Sequence, residues 1–201
     1  MSVRQQNFLL RKEKILNMAE NLLLENNQDI TLSELAKELD IAKGTIYKHF
    51  KSKNQLYLEL IIQNEKRLLD ITIKYKNNIK TYVTQYMLYN MLNSNRTILL
   101  HFIEERLTNN ERKLKDLFEE LYSIREERII QIKDSTDEHL KSVKSKMSIR
   151  DYLSYVWTVT YGASLLLNST HYQKAIGSRE RLIKLYVNQA LMTPDTLSED
   201  D

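Results

Sequence analysis

The sequence predicts an all-α protein, on three observations. Its 201 residues include only three glycines and a single proline, Pro194, so little interrupts a helix. Apolar residues recur at the helical period along most of the chain. The balance of 42% hydrophobic and 28% charged residues describes a folded chain with a substantial core.

The elements follow in order. Over 8–24, Ile15, Leu16, Ala19, Leu22 and Leu23 keep the helical period and leave Arg11, Lys12 and Lys14 for solvent, which gives a first helix. Asn26, Asn27, Gln28 and Asp29 break it. Thr31-Leu-Ser-Glu34 then reads as a capping box, opening a second helix with the stripe Leu32, Leu35, Ala36 and Leu39. A tight turn at Asp40 and Ile41 leads into a short third helix ending near Phe50. Three short helices with such a turn between the last two form a helix-turn-helix pattern. Ser52 caps a fourth helix, which runs to about Lys74 and links two parts of the chain.

Further helical stretches are expected at 79–92, 96–107, 111–133, 138–146, 149–167 and 179–191. Loops are expected at 93–95, 108–110, 134–137 and 168–178, and the acidic tail after Pro194 is expected to be disordered. The division expected from this pattern is a helix-turn-helix domain at 1–54 and a larger helical domain at 55–201.

Several chemistries are excluded or unsupported. With no cysteine there is neither a disulfide nor a zinc-thiolate site, and the cytoplasm is the default compartment. The N-terminus lacks the pattern of a secretory signal. The longest uncharged segment, between Asp151 and Lys174, is interrupted by Ser154, Thr158, Thr160 and Ser164, and falls short of the roughly 20 apolar residues a bilayer requires. No membrane partner is expected. The histidines, at 49, 101, 139 and 171, are scattered, and His101-x-x-Glu104 is one half of a paired motif in reversed order. No catalytic residue, metal or cofactor is expected, and none of the phosphate-cradling or nucleophile motifs occurs.

The most informative stretch is IAKGTIYKHFKSK, from Ile41 to Lys53, with four lysines and no acidic residue. At about 100° per residue, Ile46 and Phe50 share the inward side of the third helix. Gly44, Lys48 and Lys51 cluster opposite, flanked by Thr45 and Tyr47. A mid-helix glycine costs about 1 kcal/mol against alanine, so its use here points to a steric reason, such as close approach to another backbone. A DNA duplex supplies that partner, because its major groove admits a helix and its phosphates attract lysine.

These residues, Ile30-Thr31-Leu32, Leu35-Ala36, Leu39, Ile41, Lys43-Gly44-Thr45-Ile46-Tyr47 and Phe50-Lys51-Ser52-Lys53, resemble the N-terminal domain of TetR-family transcriptional regulators over about residues 11–61. The resemblance implies that Thr31, Tyr47, His49 and Lys53 hold phosphates. It places Lys43, Thr45 and Lys48 nearest the base edges, with Gly44 permitting the approach. The sequence departs from the family pattern at Asp40, where glycine is usual, and at Ala42, where a capping serine is usual.

For the remainder, the resemblance implies an all-α effector-binding and dimerisation domain. The partners expected are a double-stranded DNA operator with two-fold symmetry, a second copy of the chain, and a small-molecule effector. The local pattern agrees: the helix at 149–167 is apolar nearly all round, with Gly162 and Ala163 allowing close packing, and 179–191 is a natural second interface helix. Tyr82, Tyr86 and Tyr89, with His101, Phe102, Trp157 and Tyr161, are the candidate lining of a pocket for a largely apolar or aromatic ligand. The competing reading is a DNA-binding protein of the same fold whose second domain binds a protein rather than a small molecule.

Overall fold

The computed structural model describes residues 2–26, 29–108, 112–175 and 177–192. Among these every regular element is helical: α1 (Val3–Asn26), α2 (Leu32–Glu38), α3 (Lys43–His49), α4 (Lys53–Tyr75), α5 (Ile79–Leu92), α6 (Ser94–Thr108), a 3-10 turn (Arg112–Leu114), α7 (Lys115–Ser142), α8 (Ile149–Asn168), α9 (Thr170–Ala175) and α10 (Arg179–Leu191). The chain forms two compact units, Met1–Asn64 with Leu99–Leu121, and Glu65–Ile98 with Tyr122–Asp201.

In the first unit the apolar stripe of each helix closes on a common core. Ile15, Ala19 and Leu23 of α1, Leu35 of α2, Ile46 of α3 and Leu56 of α4 are buried there, joined by Phe50 just beyond α3. The first helix starts earlier than its apolar pattern, because Ser2 and Gln5 cap it. The Gln5 N–H donates to Ser2 Oγ at 3.3 Å and the Ser2 N–H to Gln5 Oε1 at 3.1 Å.

In the second unit α5, α8 and α10 pack on one another. Val83, Met87, Met91, Tyr152, Val156, Ala163 and Ala190 form its centre, and the buried Tyr152 hydroxyl donates to the Ala190 carbonyl at 3.2 Å. Two of the polar residues that interrupt the apolar run of α8 lie in this core. Thr160 and Ser164 are fully buried, and each donates back to the carbonyl four residues before it, at 2.6 and 2.8 Å. Ser154 and Thr158 face solvent. Among the described residues no helix is long and apolar enough to cross a membrane.

Two expected loops are helical instead. Residues 134–137 continue α7, since the fully buried Thr136 donates to the Ile132 carbonyl at 2.7 Å and Asp137 pairs with Lys141 one turn on at 2.6 Å. Of the separate helix expected at 138–146, residues 138–142 are the last part of α7, which ends at Ser142, and Lys144 just beyond adopts the left-handed conformation. Within 168–178 lies α9, opened by Ser169, whose hydroxyl accepts the Tyr172 N–H at 3.3 Å. Loop residues 109–110 and the tail beyond Met192 lie outside the described residues.

Candidate nucleic-acid interface

The face begins at the N-terminus of α2. Thr31 Oγ1 accepts the Glu34 N–H at 3.1 Å, and Glu34 Oε2 accepts the Thr31 N–H at 2.7 Å, which closes the capping box. Hydrogen bonds from Thr31 hold the Glu34 carboxyl below its ordinary range.

The turn to α3 has a Schellman geometry. The Ile41 N–H donates to the Ala36 carbonyl at 3.0 Å and the Asp40 N–H to the Lys37 carbonyl at 3.1 Å. That geometry requires a left-handed residue, and Asp40 adopts it with φ 51°. The family's usual glycine at this position thus has a plain reason here, and aspartate meets the same demand at some strain. Ala42, at the N-cap of α3, has no side chain to bond the exposed N–H groups.

The wheel expected for α3 is the one observed. Ile46 and Phe50 are fully buried, while Lys43, Gly44, Tyr47 and Lys48 are exposed and Thr45 is half-buried. A Cβ built at Gly44 would meet no atom within 4 Å, so nothing inside the chain requires glycine there. The exposed face holds three cationic groups, Lys43, Lys48 and Lys51, and no carboxylate of its own.

The other expected phosphate ligands are engaged within the chain. His49 is half-buried, with its ring 4.1 Å from that of Phe8. Its Nδ1 is buried without a hydrogen-bond partner. Burial, and then Arg11 and Lys12, hold its pKa below the ordinary 6.5. Lys53 opens α4 and donates to Asp29 Oδ2 at 2.6 Å, with its Nζ 5.3 Å from the centre of the Tyr57 ring.

Sequence reasoning missed the group beneath this lysine. Tyr57 is fully buried, donates to Asp29 Oδ1 at 2.7 Å and accepts the Ile30 N–H at 3.2 Å. Burial, and then the Asp29 acceptor, push the Tyr57 phenol well above its ordinary value. Arg106 of α6 stands 3.6 Å from Asp29 Oδ1. Burial alone would raise the Asp29 pKa, but Lys53 and Tyr57 together hold it below the ordinary value. Asp29 reads in sequence only as a helix breaker, because its three partners lie 24 or more residues away.

Of the candidate effector residues, five lie in the second unit and two in the first. Tyr82 and Tyr86 are buried in the core of the second unit with their rings stacked 5.9 Å apart. Arg128 lies over the Tyr86 ring at 5.3 Å and reaches the Tyr82 hydroxyl at 3.5 Å. Tyr89 is half-buried with the Arg96 guanidinium 4.6 Å from its ring centre. Trp157 is half-exposed and meets Tyr161 edge-on at 5.2 Å. His101 and Phe102 belong to the first unit, where Phe102 is exposed.

Comparison with known proteins bears on the same stretch. Residues 15–60 match the family model described as bacterial regulatory proteins, tetR family. The chain is 34% identical over 82 residues to the HTH-type transcriptional regulator QacR of Staphylococcus aureus, a match covering 40% of this chain and 44% of that protein. It is 28% identical over 104 residues to the HTH-type transcriptional regulator AcrR of Shigella flexneri, covering 51% of this chain and 45% of that one. The matched stretches span less than half the length of either relative. The capping box, the Schellman turn and the exposed basic helix all lie within residues 15–60, the stretch that matches the tetR family of bacterial regulatory proteins.

Proposed function

We propose that the chain is a ligand-responsive transcriptional repressor of the cytoplasm, which binds a palindromic operator as a homodimer and is released by a small hydrophobic or aromatic effector. The observation that carries this reading is the outward face of α3. It joins exposed lysines to a glycine whose side-chain space is open, the combination a helix needs to enter a major groove. Residues 1–54 would supply DNA binding, with Lys43, Thr45 and Lys48 toward the bases and Thr31, Tyr47, His49 and Lys53 toward phosphates. Residues 55–201 would supply dimerisation and the effector site.

Dimerisation is supported by the outward stripes of two packed helices. On α8, Gly162 is exposed with open space at its Cβ position and Leu165 is half-exposed; on α10, Leu185 is half-exposed and Met192 follows just beyond the helix. The effector is supported by the aromatic groups of the second unit, Tyr82, Tyr86, Tyr89, Trp157 and Tyr161.

Selection of bound duplexes from a random library, followed by sedimentation of the complex, tests the core of this reading. A symmetric consensus bound by an even number of chains is expected. Enrichment of no sequence, or a monomer on an asymmetric site, overturns it.

A further inference from the structure

The Lys53 ammonium is expected to hold a DNA phosphate, yet in the free chain it is already paired. Its partner Asp29 is fixed in place: Oδ1 accepts the Tyr57 hydroxyl at 2.7 Å, and Tyr57 is fully buried and bonded to the Ile30 N–H. The carboxylate is thus anchored from below, whereas Lys53 reaches it at 2.6 Å through a flexible stem and is only partly covered. A second cation, Arg106 of α6, faces the same carboxylate at 3.6 Å.

We propose that Asp29 limits the phosphate contact of Lys53, and that Arg106 sets how strongly it does so. The inference rests on the DNA-binding reading above. A phosphate and Asp29 compete for one ammonium, and the pairing neutralises charge that would otherwise displace counterions from DNA. Arg106 beside the carboxylate offsets part of its charge and loosens its hold on Lys53. Asp29 and Arg106 are positioning residues in this scheme, and Lys53 makes the contact.

The test uses the full chain and a labelled mixed-sequence duplex, since phosphate contacts do not depend on sequence. Affinity is read over a range of salt concentrations, with thermal melting of each variant as the folding control. Asn can still accept the Tyr57 hydroxyl, so Asp29→Asn should fold, bind about two- to fivefold more tightly at low salt, and steepen the salt slope by up to about one per chain. Arg106→Gln should weaken binding about twofold in the parent and leave it unchanged in the Asp29→Asn background. Lys53→Gln should abolish the gain from Asp29→Asn.

Unchanged or weaker binding by folded Asp29→Asn overturns the proposal. So does an equal loss on Arg106→Gln in both backgrounds, because that is the signature of a general field effect. If the unaltered chain binds no duplex at all, the DNA-binding reading itself falls, and this inference with it.

Discussion

Arg128 Nη1 donates to Glu65 Oε2 at 2.5 Å inside the second unit, where their side chains are only 13% and 9% exposed. Arg125 takes the other carboxylate oxygen at 3.1 Å, so one buried anion holds two cations. Replacing Glu65 by leucine leaves Arg128 buried and unpaired, and should destabilise the chain by about 3 kcal/mol or more in urea unfolding. The exposed pair Lys184 and Glu180, 2.6 Å apart, provides the contrast: Glu180→Ala should leave stability nearly unchanged. Equal losses for the two substitutions would contradict the burial argument.

The turn before α3 carries two local penalties that can be removed separately. Asp40→Gly relieves the left-handed strain and should stabilise by about 0.5 kcal/mol, after the greater freedom of glycine in the unfolded chain is subtracted. Ala42→Ser restores an N-cap acceptor and should add about 1 kcal/mol. Thermal melting of the two single variants and the double variant measures both; a loss of stability in either single variant would count against the geometry of this turn.

Gly44→Leu is expected to split stability from binding. Gly44 is the second residue of α3 and not mid-helix, so the preference for leucine applies only in part; the new side chain points into open space, and stability should rise by no more than about 0.5 kcal/mol. Duplex binding should be lost, because the same space must admit the groove. Retained affinity in a well-folded Gly44→Leu protein would remove the close-approach argument.

Two histidines give stability a pH dependence near neutrality. Burial, then Arg11 and Lys12, lower His49; burial, then Lys80, lowers His139. A depressed folded pKa means that the unfolded chain binds the proton first. The contribution is therefore complete above the ordinary value of 6.5 and is lost as the pH falls below it through the folded values. Urea midpoints should decline on acidification from that point, before the carboxylates titrate. His49→Gln and His139→Gln should each flatten the decline, and an unaltered slope in the double variant would refute the assignment.

The helix-turn-helix was legible because its signals are local. The capping box from Thr31 to Glu34, the inward pair Ile46 and Phe50, and the outward glycine all lie within a few residues of what they determine. The same locality misled at residues 134–137, where Asp, Ser and Thr carry a loop preference, yet Thr136 is drawn into the core with its hydroxyl satisfied inside the helix. The start of α1 was readable in the capping residues Ser2 and Gln5, although apolar period alone placed it later.

What the sequence by itself determined is therefore the helical class, the order of the first four helices and the face of α3 that looks outward, since each follows from spacing along one helix. Only the tertiary structure decided that Asp29 gathers Tyr57, Lys53 and Arg106, that Glu65 binds two arginines, and that His49 rests on Phe8. The physical reason is range. Hydrophobic period and capping act over one or two turns, whereas a buried polar group takes whichever partner the packing of distant helices brings within hydrogen-bond reach.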